Sequence, residues 1–233
     1  MQLFYIPDIS DHEVFLNEDE SKHAVKVLRL GNGNTVQITD GKGGLYRAEI
    51  SDANQKKCRL TVTDKQAEFG KKDFRLHIAI APTKNIDRFE WFIEKAAEIG
   101  IDEITPLLTA RSERKTVNTE RLEKILISAM KQSVKTYLPV LNKITCFNNL
   151  ISTAICKNKY IAHCGHGEKN HLKNTVKKGE GILVLIGPEG DFTTEEVQYA
   201  QRRCFRETSL GNSKLRTETA GVIACSIVNM ANE

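Results

Sequence analysis

The sequence predicts an α/β protein in two parts: a small β-rich domain over residues 1–72, and a larger domain over 73–233 built on a mostly parallel sheet with helices on both faces. Three observations carry this. Before residue 70 the chain is a series of short runs rich in β-branched and aromatic residues. From Phe74 onward strand-like runs alternate with helix-like periods. Late in the chain the apolar run Ile182–Ile186 enters Gly187-Pro188-Glu189-Gly190, and Ser209-Leu210-Gly211 and Leu215–Ala220 answer it some residues later. Glycine permits positive φ and close approach of a ligand to the main chain, so two such loops suit one shared pocket.

In the first part Leu3–Ile6, Thr35–Thr39, Leu45–Ile50 and Arg59–Thr63 read as strands, with Asp40–Gly44 as a hairpin loop. Ser21 is placed to cap a helix over His23–Arg29 that ends before Gly31. Together they make a compact, barrel-like unit. The polar stretch Gln66–Asp73 marks its end.

In the second part Leu76–Ala81 is a strand, and a helix begins at Asp87 and closes at Gly100, with Phe89, Phe92, Ile93, Ala96 and Ala97 as its apolar stripe. Glu103–Leu108 is the next strand, in which Pro106 implies an edge or irregular position. Thr119 is expected to cap a helix carrying Leu122, Ile125, Leu126, Ala129 and Met130 at helical spacing. Tyr160–His163 and Ile182–Ile186 are strands leading into Gly165 and Gly187, and Thr193 with Glu196 forms a capping box for a helix to about Cys204. The stretch Thr217–Ala231 is apolar nearly all round and is expected to be buried against the sheet or a partner subunit.

With 40% hydrophobic and 27% charged residues, the composition is that of an ordinary globular protein. No apolar run approaches the ~20 residues needed to span a bilayer, and the first residues lack the pattern of a signal peptide, so a cytoplasmic location is expected. Six cysteines without a CxxC pair indicate neither a disulfide framework nor a zinc ribbon, and read as small core residues. Cys156, His163, Cys164, His166 and His171 are metal-ligand types, but their spacing fits no common zinc pattern, and no metal is expected. The net charge of +4 falls on the second part. Residues 111–135 hold Arg111, Arg114, Lys115, Arg121, Lys124, Lys131 and Lys135 against Glu113, Glu120 and Glu123, which would attract phosphate or form a solvated helix face. No GxGxxG follows the first strand of the second part, and neither GxxxxGK[ST] nor GxSxG occurs, which removes the dinucleotide, P-loop and α/β-hydrolase readings.

Taken in order, Gly187-Pro188-Glu189-Gly190-Asp191-Phe192, Ser209-Leu210-Gly211 and Leu215-Arg216-Thr217-Glu218-Thr219-Ala220 resemble the SPOUT methyltransferases that form N3-methyluridine in bacterial 16S ribosomal RNA. His23–Arg29, Asp87–Lys95 with Gly100, Arg111-Ser112 and Gln132-Ser133 ahead of Pro139 extend the resemblance over essentially the whole chain. It implies an N-terminal PUA-like RNA-binding barrel, a C-terminal α/β domain with a deep trefoil knot, and a homodimer through the knot region. The knot loops would hold S-adenosylmethionine through Ile186, Gly187, Pro188, Glu189, Gly190, Leu210, Gly211, Leu215, Arg216 and Thr219, with His163–Gly165 as a third wall. RNA contacts would fall to Lys22, His23 and Arg29 in the small domain and to Arg111, Arg114, Lys115, Lys131 and Lys135 in the large one.

Methylation at uridine N3 requires loss of its proton, so Arg216 is the candidate for orienting the uracil or a phosphate, and Glu218 or Glu189 for accepting the proton. A surface salt bridge or a helix cap would equally justify each of them, Glu218 above all. Three positions depart from the family pattern. Asp191 stands where a glycine is usual, Asn85-Ile86 where a Gly precedes the Asp-Arg pair, and Lys131 where an acidic residue is usual. The other readings are a SPOUT enzyme acting on transfer RNA or a ribose 2′-hydroxyl, a non-catalytic RNA-binding assembly factor, and a metabolic enzyme on a doubly wound sheet.

Overall fold

The computed structural model describes residues 2–165 and 167–233, and the chain divides into two compact units. The first comprises the chain up to Lys71 together with Met130–Leu138; the second comprises Lys72–Ala129 and Pro139–Glu233. Residues 130–138, with Lys131 and Lys135, belong by sequence to the span 73–233 but cluster with the first unit. They join the first because their backbone pairs with its hairpin loop: Thr136 O accepts from Gly43 N at 2.9 Å, and Leu138 N donates to Gly41 O at 2.9 Å. Gly43 has φ 99°, and a Cβ there would lie 2.3 Å from the Tyr137 hydroxyl, so only glycine fits.

In the first unit β1 (Leu3–Tyr5), β2 (Glu13–Phe15), β3 (Thr35–Thr39), β4 (Leu45–Asp52) and β5 (Arg59–Gln66) form a curled half-barrel in the order β1-β3-β4-β5-β2. Alternation along β4 turns Tyr46, Ala48 and Ile50 inward, where they meet Phe4, Leu16, Val36, Ile38 and Leu60. The expected helix at His23 starts earlier. Helix α1 spans Glu18–Lys22 and is capped by Asn17, whose side chain accepts from Glu20 N, and a single π turn over His23–Val27 follows. Ser21 cannot cap because it is buried: its hydroxyl donates to Leu16 O and accepts from Cys58 N.

Asp40 organises the β3–β4 loop. Its carboxylate accepts from Lys42 N at 2.7 Å, Gly44 N at 2.9 Å and the Tyr46 hydroxyl at 3.0 Å. Burial works to raise this carboxyl, but the two amides and the hydroxyl outweigh it and hold it below its usual range.

The second unit contains, in chain order, β6 (Leu76–Ile80), α2 (Ile86–Ile99), β7 (Glu103–Leu108), most of α3 (Thr119–Gln132), β8 (Val140–Leu141), β9 (Thr145–Cys146), α4 (Phe147–Thr153), β10 (Asn158–Ala162), β11 (Asn170–His171), β12 (Ile182–Ile186), α5 (Thr194–Arg202), β13 (Arg206–Ser209) and α6 (Thr217–Met230). Its strands are parallel, in the order β11-β13-β10-β12-β6-β7-β8, with β9 also paired to β7. Leu183 and Leu185 of β12 pack with Ala79, Phe147, Phe192 and Ala200 on one face. On the other, α2 and α6 pack together, and α6 lies against β6 and β12.

Of the two expected settings for Pro106, an edge or an irregular position, it takes the second. It pairs with Ile80 on one side; on the other it falls between the pairings of Glu103 and Ile104 with β8 and those of Leu107 and Leu108 with β9. Its missing N–H therefore interrupts no ladder. Capping also shifts by a residue, because Asn85 caps α2 through Asp87 N, and the Asn118 side chain, not that of Thr119, accepts from Arg121 N. The capping box of Thr193 and Glu196 forms as the spacing predicts. Of the cysteines, Cys58 and Cys225 are core residues, whereas Cys146, Cys164 and Cys204 are exposed, and all six are free thiols.

Strand β13 lies beside β10 on the side away from β12, yet α6, which follows β13, returns to β12 and β6. Residues 210–216 must therefore cross back over the strand ends, which is the crossing that the expected trefoil knot requires. Because β10, β12 and β13 are parallel, the loops leaving their C-terminal ends all emerge at one edge of the sheet.

Two predictions test this framework. Asp40→Asn should lower Tm at pH 7; since the native carboxyl titrates below its unfolded value of about 3.9, the difference from wild type should shrink as pH falls through the native pKa. Gly221→Ala should also destabilise, because the new Cβ would lie 2.6 Å from the Phe92 ring and 2.8 Å from Ile80 Cδ1. Overpacking of about 1–3 kcal/mol exceeds the ~1 kcal/mol helix-propensity gain, so calorimetry should find Tm lowered by a few degrees.

Candidate functional site

The three loops at that sheet edge enclose a cleft of about 780 Å³, within the range of small-molecule sites. The loop after β12 supplies Ile186, Gly187, Pro188, Glu189 and Asp191; the segment after β13 supplies Leu210, Gly211, Leu215 and Arg216; and the loop after β10 supplies His163 and Cys164. Of the ten residues expected to hold a cofactor, Gly190 and Thr219 do not line the cleft. Gly190 faces Arg111 instead, and Thr219 sits a turn into α6. Residues that motif reading did not single out also line it, among them Thr208, Asn212 and Lys214.

The loop 187–191 is held by hydrogen bonds from four other segments. Thr217, buried in the first turn of α6, donates its hydroxyl to Gly187 O at 3.0 Å. Lys84 N donates to Glu189 Oε1 at 3.0 Å, and an Arg111 guanidinium nitrogen donates to Gly190 O at 2.7 Å. Asp191, at φ 61°, accepts from Cys164 N through Oδ2 at 2.8 Å and from Phe192 N through Oδ1 at 2.8 Å. Aspartate is among the few residues that enter this left-handed region readily, which is how the chain dispenses with the usual glycine.

Around the third wall, His163 Nδ1 accepts from Gly165 N at 3.1 Å, which leaves Nε2 as the donor to Glu207 Oε2 at 2.6 Å. Glu207 Oε1 in turn accepts from the Gln201 side chain. Nothing in the sequence spacing marks Glu207 as a partner of His163. His166, one of the metal-ligand types noted above, lies outside the described residues; among the described residues no group of three or more His, Cys, Asp or Glu side chains could hold a metal ion.

The charged candidates separate by position. Arg216 stands at the N-cap of α6 and lines the cleft, and its side chain has no hydrogen-bond or ion-pair partner among the described residues. Glu189 lines the cleft as well. Glu218 does not: it is buried, lies 3.9 Å from Arg88 Nε through Oε1, and leaves Oε2 without a hydrogen bond. Arg114 donates to Thr83 O at 3.0 Å and Lys84 O at 2.8 Å. With Lys84, Glu113, Lys115 and Thr116 it lines a second, smaller hollow of about 300 Å³.

In the first unit, Lys22 pairs with Glu18 and Lys131 with Glu20, the His23 ring stands edge-on to Phe4, and Arg29 is exposed at φ 55°. Lys135 is engaged by contacts within its surroundings.

The cleft's inventory fits S-adenosylmethionine. Ile186, Leu210 and Leu215 offer apolar surface for a purine, Glu189 offers an anionic group for cationic atoms, and Gly211 at φ 139° has open space where a Cβ would project. A SPOUT α/β unit joined to a half-barrel, with a cleft at the crossing loops, defines the class of RNA methyltransferases. The family described as "RNA methyltransferase domain" matches residues 70–229, and "RNA methyltransferase PUA domain" matches residues 16–63. The chain belongs to this RNA methyltransferase family.

Among its relatives is the ribosomal RNA small subunit methyltransferase E of Rickettsia conorii, 27% identical over 226 residues, covering 94% of this chain and 90% of that protein. The protein of the same name from Bacillus subtilis is 25% identical over 228 residues, covering 92% and 89%. The crystal structure of a "probable rRNA-methyltransferase" from Porphyromonas gingivalis matches with TM-score 0.93 and 38% identity over 100% of this chain and 98% of that one. The structure of a "putative methyltransferase" from Legionella pneumophila, in complex with bound S-adenosylmethionine, matches with TM-score 0.88 and 26% identity over 99% of this chain and 97% of that one.

Thr217→Val should lower the unfolding free energy by about 1–2 kcal/mol in urea titration, because a buried carbonyl at Gly187 loses its donor, whereas Thr217→Ser should retain most of the stability.

Proposed function

We propose that this chain is an S-adenosylmethionine-dependent methyltransferase that modifies N3 of a specific uridine in 16S ribosomal RNA of the small ribosomal subunit, acting in the cytoplasm as a homodimer. The observation that carries the reading is the glycine-bearing cleft between residues 186–191 and 210–217, with Arg216 at its wall, its side chain without a partner among the described residues. Family membership and relatives named as small-subunit ribosomal RNA methyltransferases support it. When bound, S-adenosylmethionine supplies an electrophilic methyl group on a sulfonium.

The chain's own residues supply position and proton transfer. Ile186 to Glu189, Leu210, Gly211 and Leu215 hold the donor, with Gly190 fixing the turn through Arg111 and Thr219 supporting the wall from α6. Arg216, whose guanidinium has no partner among the described residues, orients the uracil or a flanking phosphate. Of the two candidate bases, Glu189 faces the cleft, with Oε1 fixed by the Lys84 amide and Oε2 carrying no hydrogen bond among the described residues. Glu218 stands apart beside Arg88 and serves the start of α6. Lys115, Arg111 and Arg114 of the second unit, and Lys22, His23, Arg29, Lys131 and Lys135 of the first, provide backbone contacts for an RNA whose target base leaves its stack.

For the dimer, α6 keeps Val222, Ile223 and Ile227 only half-buried and Met230 exposed, an apolar strip for a second copy. No helix among the described residues is long and apolar enough to cross a membrane.

Mass-spectrometric mapping of 16S RNA from cells lacking this protein should show loss of one N3-methyluridine, restored by purified protein with S-adenosylmethionine. Arg216→Ala should lower kcat/KM by about 10²-fold or more, and Glu189→Gln should lower single-turnover methylation more than Glu218→Gln does. Loss of a different modification would overturn the assignment to uridine N3.

A further inference from the structure

We propose that Asp191 is a positioning residue whose carboxylate latches the loop after β10 onto the loop after β12, and so builds the third wall of the donor cleft. The inference rests on the reading of that cleft as the S-adenosylmethionine site. The Asp191 backbone is fixed first, since its N–H donates to Pro188 O at 2.9 Å and closes the turn that puts the residue at φ 61°. Its side chain is fixed next, because Oδ1 accepts from Phe192 N, and Phe192 is buried with its ring 5.7 Å from that of Phe147. Only Oδ2 then reaches outward, and it accepts from Cys164 N at 2.8 Å, across 27 residues of sequence.

Cys164 is exposed and Gly165 follows it, so this stretch has little packing of its own. Among the described residues its other anchors are Gly165 N to His163 Nδ1 and Lys169 Nζ to Gly165 O, both within the loop, and His163 Nε2 to Glu207 of β13. The first two fold the loop on itself and the third ties it to β13; none of the three reaches the loop after β12. The charge-assisted bond to Asp191 does. A glycine at 191 would adopt the same backbone and leave Cys164 N without this acceptor. The carboxylate thus replaces conformational freedom by a cross-link between two walls, and a wall ordered before the donor arrives lowers the ordering cost of binding.

The test compares full-length wild type, Asp191→Gly and Asp191→Asn by calorimetry with S-adenosylmethionine, steady-state methylation of unmodified 30S subunits, and amide hydrogen exchange. Asp191→Gly should weaken donor affinity about tenfold and raise the donor KM alike, with kcat at saturating donor within about twofold of wild type. Asp191→Asn tolerates the same φ but has one accepting oxygen for two amides, so it should shift affinity in the same direction by less. Exchange should quicken at Cys164 and Gly165 in both variants and stay unchanged in β12. Unchanged donor affinity in Asp191→Gly would overturn the latch. So would wild-type behaviour of Asp191→Asn beside a weakened Asp191→Gly, since backbone freedom would then be the cause. Failure of the wild type itself to bind S-adenosylmethionine would sink the reading of the cleft; the latch would then stand or fall on whether exchange at Cys164 quickens.

Discussion

The structure of the second unit depends on where β12 stops. All five residues of this strand are buried, it is paired on both sides by β10 and β6, and helices cover both its faces. Its C-terminal end therefore has no freedom, and the loop leaving it starts from a fixed point. That loop then receives Thr217 at Gly187, Lys84 at Glu189, Arg111 at Gly190 and Cys164 at Asp191. Each bond alone contributes about 1 kcal/mol, more where a charge takes part. Together they make one buried strand the reference for four segments distant in sequence, which is how a cleft walled by loops acquires a defined geometry.

What was legible in the sequence follows from this. The strand itself is visible because burial on both faces demands an unbroken apolar run, and Gly187 beside it stands where a Cβ would crowd the Phe192 ring at 3.1 Å. The capping box at Thr193 is legible because both its partners lie within one turn. The bonds that complete the cleft are not, since Lys84 and Arg111 meet the loop across 105 and 79 residues. Short-range reading also failed where two small polar residues compete for one cap, as with Asn17 and Ser21, because the outcome turned on the burial of Ser21 against Cys58. The return of residues 130–138 to the first unit carries no periodic signal either. It rests on backbone bonds to the loop at Gly41 and Gly43.

Charge read from sequence does not distinguish cations with different tasks. Arg111 and Arg114 donate to the carbonyls of Gly190, Thr83 and Lys84, while Lys22, Lys84 and Lys131 face Glu18, Glu113 and Glu20. The two groups differ in consequence. A carbonyl partner fixes a guanidinium without cancelling its charge, so Arg111 and Arg114 shape the cleft's surroundings and still contribute to a positive field. A carboxylate partner cancels much of that field at a distance. The attraction for a polyanion thus falls less on the paired lysines than on Arg111 and Arg114, and Arg216 adds a side-chain cation with no partner among the described residues.

Glu218 shows how position decides between roles that sequence alone leaves equal. In the first turn of α6 its charge is favoured by the helix macrodipole, and Arg88 at 3.9 Å reinforces it from the start of α2. One turn further on, Gly221 lets Phe92 of α2 approach the α6 backbone closely. Helices α2 and α6 are thus joined by an ion pair at their N-terminal ends and by close packing just beyond. That junction holds the first turn of α6 in place, and the same turn carries Thr217 to Gly187 and follows directly on Arg216. Glu218 accordingly lies outside the cleft lining, in the same helix turn that follows Arg216, and its pairing with Arg88 bears on where that helix end stands.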